Sequence, residues 1–382
     1  MINHKTQTPR IGIDMRMAGE GYGIGRYVVE LATALLKRPE RFSYWLIFDK
    51  GLNYEVYRNF SRLHNQCLLV PAHYYSLAEQ IALPFALSRA KLDLMHFPNF
   101  NVPLAYQGEY VVTIHDLIHH RFPGKRKRNI AHRLAYRLII SLAVKKAKKI
   151  IAVSELTKRD IINQLGTWPD KIAVVHEGVS LLEQLPEEEV QKTLSQLGIK
   201  RPFVLAVGVW RRYKNLLMLA RAFSLISRQN HLPHQLVLVG EEDPNYPEIR
   251  NDIFAAVSSD KIVVTGKISD RHLSAVYQGA NFFVNPSLYE GFGLPALEAQ
   301  ALGTPVISSA IPAAKEVLGS SVLYFEPNAE NDLAAKMLTL IQYPHLRNKL
   351  SKLGQANCRT YSWEKCAEQT EELYSKTLKN LF

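Results

Sequence analysis

Six short, unbroken apolar runs in the second half of the chain constrain its fold more than any other feature. They are Phe203–Val207, Gln235–Val239, Ile262–Thr265, Phe282–Asn285, Pro305–Ser308 and Val322–Phe325, and most of the gaps between them hold a helical segment. A strand that is apolar on every residue has both faces covered, and strands alternating with helices build a parallel sheet between two helical layers. The first half repeats the pattern. Arg10–Asp14, Ser43–Phe48, Leu94–His96, Tyr110–Ile114, Lys149–Val153 and Lys171–Val175 read as strands, Tyr27–Leu36 and Leu134–Lys149 as helices. Leu182–Leu197 between the halves is rich in Glu, Gln and Ser and reads as a linker with one helix. The expectation is an α/β chain of two Rossmann-like, doubly wound domains, residues 1–180 and 181–361, facing across a cleft, with a terminal helix over 362–382. Ligands of such sheets bind beyond the carboxyl ends of the strands, so the residues that follow each run are the candidates for function.

Hydrophobic residues make up 47% of the 382-residue chain, enough to form real cores and to exclude wholesale disorder. No apolar run approaches the roughly 18 residues of a spanning helix, and the opening MINHKTQTPR lacks a secretory core. Cys67, Cys358 and Cys366 have neither metal-ligand nor disulfide-framework spacing. These features suit a cytoplasmic compartment. The whole net charge of +12 lies in residues 1–180, and eleven cations with no acid fall between Arg121 and Lys149. That stretch is open to three readings: a solvated helix face, a surface for anionic membrane at the inner face of the cytoplasmic membrane, or a nucleic-acid patch. Leu134, Leu138, Ile139 and Leu142 would supply apolar membrane contacts, or else face the sheet. No nucleic-acid reading module is recognisable, so nucleic acid is not expected as a partner.

The densest string is Asn285-Pro-Ser-Leu-Tyr-Glu-Gly-Phe-Gly-Leu-Pro-Ala-Leu-Glu-Ala-Gln-Ala-Leu-Gly303. It reads as strand, loop and helix, with Pro295 in the first turn and Gly303 just past the end. Gly291 and Gly293 bare the backbone amides that lead into the helix, whose unpaired N–H groups and partial positive charge favour phosphate. Glu290 in the loop and Glu298 one turn into the helix can both face a ligand, and carboxylates suit sugar hydroxyls.

This string resembles the E-x7-E signature of the family 4 glycosyltransferases (GT4), retaining nucleotide-sugar enzymes of the GT-B fold. Gly208-Val-Trp-Arg-Arg-Tyr-Lys-Asn215 is similar to the family's diphosphate-binding loop, and Ser362-Trp363 opens a helix that in such folds returns to the first domain. The resemblance implies that Glu298 holds the ribose hydroxyls and that Glu290 meets the transferred sugar. By the same resemblance, the amides of Gly291, Phe292, Gly293 and Leu294 lie by the diphosphate or sugar, and Lys214 neutralises the diphosphate. Many relatives carry an arginine directly after the loop glycine, where this chain has Val209. Arg211 or Arg212 is expected to supply that charge, with Arg212 preferred, and the alternative is that both are plain surface residues.

In the first half, Gly19-Glu-Gly-Tyr-Gly-Ile-Gly-Arg-Tyr27 lacks the third glycine of a dinucleotide fingerprint, since Val28 stands there, although Asp49 is placed as a ribose acid would be. It resembles the family's GIGRY loop, in which Gly23 and Gly25 let the backbone approach sugar and phosphate. His115 and Asp116 follow a strand directly. The resemblance implies that His115 contacts the transferred sugar, while Asp116 either orients the imidazole or meets the acceptor. Ser154 matches a family serine near the acceptor, and helix capping explains it equally well.

Together these residues imply a hexosyl transfer in which His115, Lys214, Glu290 and Arg212 act at the reacting centre. Asp14-x-Arg16, the GIGRY loop and His115-Asp116-Leu117 look most like the bacterial O-antigen and capsule mannosyltransferases. GDP-mannose is then the first expected donor, with UDP-linked sugars second, and a glycan or lipid-linked hydroxyl the acceptor. No Asp-x-Asp signature is present, Glu241-Glu-Asp243 reads as a loop or cap, and neither a metal nor another cofactor is expected. The alternatives are a non-catalytic two-domain sugar-binding protein, which has no use for a diphosphate grip, and a phosphorylase-like enzyme, for whose pyridoxal phosphate no matching region exists.

Overall fold

The computed structural model describes residues 8–19, 23–39, 41–51, 54–64, 66–122, 130–180 and 182–379, without the side chains of 130–132. Within the Arg121–Lys149 stretch, residues 123–129 therefore lie outside the described residues, as do residues 20–22 of the glycine loop. The chain divides into two compact units. The first comprises 1–117, 129–178 and 363–382, and the second comprises 118–128 and 179–362. The segment that opens with the short Ile118–Arg121 helix thus clusters with the second unit, not with the first as the boundary at 180 had it.

The first unit holds seven strands: β1 (Arg10–Asp14), β2 (Ser43–Asp49), β3 (Cys67–Val70), β4 (Leu94–Phe97), β5 (Tyr110–Ile114), β6 (Lys149–Ala152) and β7 (Ile172–Val174). They form one parallel sheet in the order β3-β2-β1-β4-β5-β6-β7. The second unit holds β8 (Phe203–Val207), β9 (Gln235–Val239), β10 (Ile262–Gly266), β11 (Phe282–Asn285), β12 (Val306–Ser309) and β13 (Leu323–Phe325). These are parallel too, in the order β10-β9-β8-β11-β12-β13. Both sheets reverse strand order beside their first strand, which is where the fold opens a crevice at the carboxyl edge.

Strand β3 is absent from the sequence reading. It is a four-residue edge strand of which only Val70 is buried, so it lacks the fully buried character of its neighbours.

Each face of the first sheet carries its own core. On one, Tyr27, Leu31 and Leu35 of the Ile24–Leu36 helix meet Trp363, Tyr374 and Leu378 of the terminal Trp363–Lys379 helix. Buried polar groups pin that terminal helix: Glu371 accepts from the Tyr44 hydroxyl at 2.7 Å and from Arg38 Nε at 2.7 Å, and the Tyr374 hydroxyl lies 2.5 Å from His96 Nδ1. On the other face, Leu83 and Leu87 of the Leu77–Ala90 helix and Tyr136, Ile140, Ala143 and Val144 of the Ile130–Lys146 helix close the second core. Leu134 and Leu138 are left exposed, while Ile139 and Leu142 are half-buried. In the second unit, the Leu216–Asn230 helix buries Leu219, Phe223 and Ile226 against the sheet.

Candidate active site

At the carboxyl edge of the second sheet, β8 and β9 are each followed by a residue that must be glycine, Gly208 and Gly240. A Cβ at Gly240 would lie 2.2 Å from the Gly208 carbonyl oxygen, and both residues have positive φ, +134° and +149°. Without side chains there, the chain after β8 folds back over its own backbone. A Cβ built on Gly208 would sit 3.4 Å from Lys214 Cε, so the lysine stem lies along the bare glycine. A short 3₁₀ turn, Arg212–Lys214, and a left-handed Asn215 then start the Leu216–Asn230 helix. The loop after β11 is tied to this turn through the backbone, Leu288 N–H donating to the Tyr213 carbonyl at 2.7 Å. That tie places Glu290 against Lys214, with Nζ to Oε1 at 2.6 Å. The Ser287 hydroxyl donates to the same oxygen at 2.6 Å and is positioned in turn by Ser309, which donates to the Ser287 carbonyl. The two charged side chains are 15% and 14% exposed, sheltered yet reachable.

Gly291 and Phe292 continue the loop, Phe292 buried edge-on against Tyr361 with ring centroids 5.5 Å apart. Gly293 has φ +98° and open space where a Cβ would be, and it heads the Leu294–Ala301 helix. That helix has no side-chain cap and no acid in its first turn, so its leading N–H groups and dipole keep their attraction for an anion. Glu298 is buried on this helix and accepts a 3.1 Å hydrogen bond from the Tyr277 hydroxyl on the Asp270–Gly279 helix. Over the same loops, Arg121 places its guanidinium 5.2 Å from the centroid of the Tyr289 ring and Phe122 packs against Tyr213.

The two arginines of the loop separate. Arg212, the residue preferred from sequence, bonds Glu248 at 3.0 Å, lies over the Tyr246 ring and is 67% exposed, so it is engaged apart from the Lys214–Glu290 pair. Arg211 is less exposed and bonds Asp243 at 3.1 Å. Burial opposes its charge, but Tyr213 and Asp243 outweigh that and raise its pKa. Asp243 also accepts from the Asn245 backbone and side chain and so heads a turn, while Glu242 bridges to Trp210 and pairs with Arg250.

At the carboxyl edge of the first sheet, the residues after β1, β5 and β7 are mostly engaged with one another. Arg16 is buried and bonds both oxygens of Asp14 and, at 2.8 Å, Glu79, so Asp14-x-Arg16 is part of a buried ionic network. Asp49 accepts from the Gly51 amide and pairs with His73. Ser154 is an N-cap, accepting from Thr157 N–H at 3.1 Å. Gly23 has φ +57° at the cap of the Ile24–Leu36 helix, with nothing near its missing Cβ, while Gly25 is buried in the first turn.

His115 projects from the end of β5 as expected, but its orienting acid is not Asp116. Nδ1 lies 2.8 Å from Glu177 Oε1, just beyond β7, and Nε2 lies 2.9 Å from the Pro98 carbonyl oxygen, just beyond β4. Burial opposes protonation of the ring, yet Glu177, the Pro98 carbonyl and Asp116 outweigh it and raise the His115 pKa. Glu177 was missed because sixty-two residues separate it from His115; its one signal in the sequence is that it too follows a strand. Among the described residues no group of three or more His, Cys, Asp or Glu could hold a metal ion. No helix of the described residues is long and apolar enough to cross a membrane.

Two family descriptions match the chain: "Glycosyltransferase Family 4" over residues 22–182 and "Glycosyl transferases group 1" over residues 189–357. The O-antigen chain mannosyltransferase B of Escherichia coli is 28% identical over 314 residues, covering 82% of this chain and 81% of the relative. An O-antigen chain mannosyltransferase of Salmonella typhimurium, RfbU, is 25% identical over 276 residues, 72% of each. Among solved structures, a sucrose-phosphate synthase from Thermosynechococcus elongatus superposes with a TM-score of 0.77 at 20% identity, covering 97% of this chain and all of that one. Anabaena HepE in complex with UDP and glucose gives 0.76 at 17%, covering 96% of this chain and 100% of that one.

Proposed function

The chain belongs to the family 4 glycosyltransferases and has the GT-B fold, and from that premise we propose that it moves a mannosyl unit from GDP-mannose, with retention, to a hydroxyl of a surface glycan or lipid-linked acceptor. The observation that carries this reading is the Lys214–Glu290 pair beside the uncapped start of the Leu294–Ala301 helix. A diphosphate would take the ammonium and the helix amides, and a sugar hydroxyl the carboxylate. In the reaction the bond from the anomeric carbon to the diphosphate breaks, a bond to the acceptor oxygen forms on the same face, and the acceptor proton passes to the leaving phosphate. Negative charge grows on the leaving group, and Lys214 and the helix amides would stabilise it. The carboxylates then serve to position: Glu290 the sugar, and Glu298, held by Tyr277, the ribose. The mannosyl assignment is supported by the mannosyltransferases among the relatives.

For the acceptor we propose a membrane-linked glycan met at the cytoplasmic face. Exposed Leu134 and Leu138 among exposed Arg133, Arg137, Lys145 and Lys146 support contact with anionic lipid. Equal, negligible sedimentation with neutral and anionic liposomes would remove that contact.

A panel of GDP- and UDP-sugars tested for slow hydrolysis decides the donor. GDP-mannose is expected to be turned over first, and selective turnover of a UDP-sugar would replace it. Binding of sugar without any nucleoside diphosphate would instead make the chain a non-catalytic sugar binder.

A further inference from the structure

We propose that Glu177 is a positioning residue for the transfer, holding His115 as an imidazolium with both N–H bonds committed, so that His115 serves as a fixed cation at the sheet edge and carries no proton during turnover. The geometry leads there directly. The Pro98 carbonyl can only accept, so Nε2 must donate to it; an ionised Glu177 can only accept, so Nδ1 must donate as well. Both partners sit beyond strand ends of one sheet, and Glu177 is 6% exposed, so neither is easily exchanged for water. The ring is also clamped from other elements. Tyr27 stands edge-on to it with centroids 4.7 Å apart, and Thr157 donates to the His115 carbonyl at 3.1 Å.

The surrounding titratable groups agree with a charged ring. Asp116, next in the chain, adds negative potential, as does Glu177. Tyr27 is fully buried and its hydroxyl is paired with Thr113, and the buried Cys366 has its thiol pushed up by burial and then by Glu177, so neither adds a negative charge. His96, on the adjacent strand, is pushed down to about 3 by burial and then by the charge of His115. His96 and His115 thus lie on the adjacent strands β4 and β5, and Thr113 bonds His96 and Tyr27, whose ring stands edge-on to His115.

The inference rests on the transferase reading proposed above, with His115 acting through its charge and not through a ring N–H bond to the sugar, and its test separates the two. Nitrogen-15 spectra of the histidine rings should show both His115 nitrogens still protonated above the ordinary histidine value of about 6.5. In Glu177→Gln the ring should lose its charge at a pH lower by about one unit or more, the usual effect of removing a close opposite charge. The alkaline limb of kcat for GDP-mannose should move in the same direction, with KM changed less than kcat. A wild-type ring carrying a single proton at pH 7, or a kcat limb that stays in place while the ring titration moves, overturns the proposal. A wild type silent toward every nucleotide sugar counts against the donor reading alone, and the ring spectra, which need no turnover, then decide this one. Should Glu177→Gln not fold, the wild-type spectrum still decides the charge.

Discussion

The carboxyl edges of the two sheets use charge in opposite ways. In the first unit the charged groups are mostly consumed within the protein: Arg16 by Asp14 and Glu79, and His115 by Glu177 and Pro98. In the second unit Lys214 and Glu290 meet in a pair that remains partly exposed, over glycines and beside an uncapped helix start. A buried, fully satisfied network fixes a shape, whereas a half-sheltered ion pair can exchange its partners for a ligand's. The first edge is therefore a fixed wall, and the second is the one we propose as the grip.

The contrast can be broken most severely at Arg16. Arg16→Met strands Asp14 and Glu79 in the interior, and removal of one member of such a network costs about 3–5 kcal/mol. Chemical denaturation should show that loss, and a change below 1 kcal/mol would mean the wall is not built on this triad. At the grip, Lys214→Met should cut turnover of the nucleotide sugar by about 10²–10³-fold with little change in unfolding midpoint, the behaviour of an oxyanion donor. Near-native turnover would remove Lys214 from the reaction. Tyr277→Phe removes one hydrogen bond to a buried carboxylate, worth about 1.5–3 kcal/mol. Calorimetry should then find weaker binding of GDP, with a smaller penalty for its 2′-deoxy form, and equal penalties would separate Glu298 from the ribose. Arg212→Ala should be the mildest, since an exposed ion pair contributes about 0–1 kcal/mol. A loss of turnover matching that of Lys214→Met would return Arg212 to the site.

The same contrast governs pH dependence. The raised pKa of His115 means that its share of stability is fully present below the ordinary histidine value of about 6.5 and is lost as pH rises through the raised one. Wild-type protein should accordingly lose its stability margin over Glu177→Gln on the alkaline side, measured by denaturation at pH 6 and pH 9. A margin that grows with pH would reverse the assignment of charge.

Much of this was legible beforehand for identifiable reasons. The six strands of the second sheet carry near-continuous apolar runs because both faces are covered, and each appears where the sequence puts it within a residue or two. Gly208, Gly293, His115 and Glu290 follow strand ends, a local property. Strand β3 escaped because an edge strand with three of its four residues incompletely buried is not required to read as a core strand. The Ile130–Lys146 helix was legible as a helix but not as to which leucines it exposes, since that depends on which of its faces joins the second core.

By itself, then, the sequence determined the alternation of strands and helices, the glycines where backbone passes backbone, and the family, because burial and local backbone geometry are written in residue periodicity. The tertiary structure alone decided the partners: Glu290 for Lys214, Glu248 for Arg212, Glu177 for His115. Which acid meets which base depends on the order of strands across the sheet and the loops that bring their ends together. Neither is encoded in the spacing of charges along the chain.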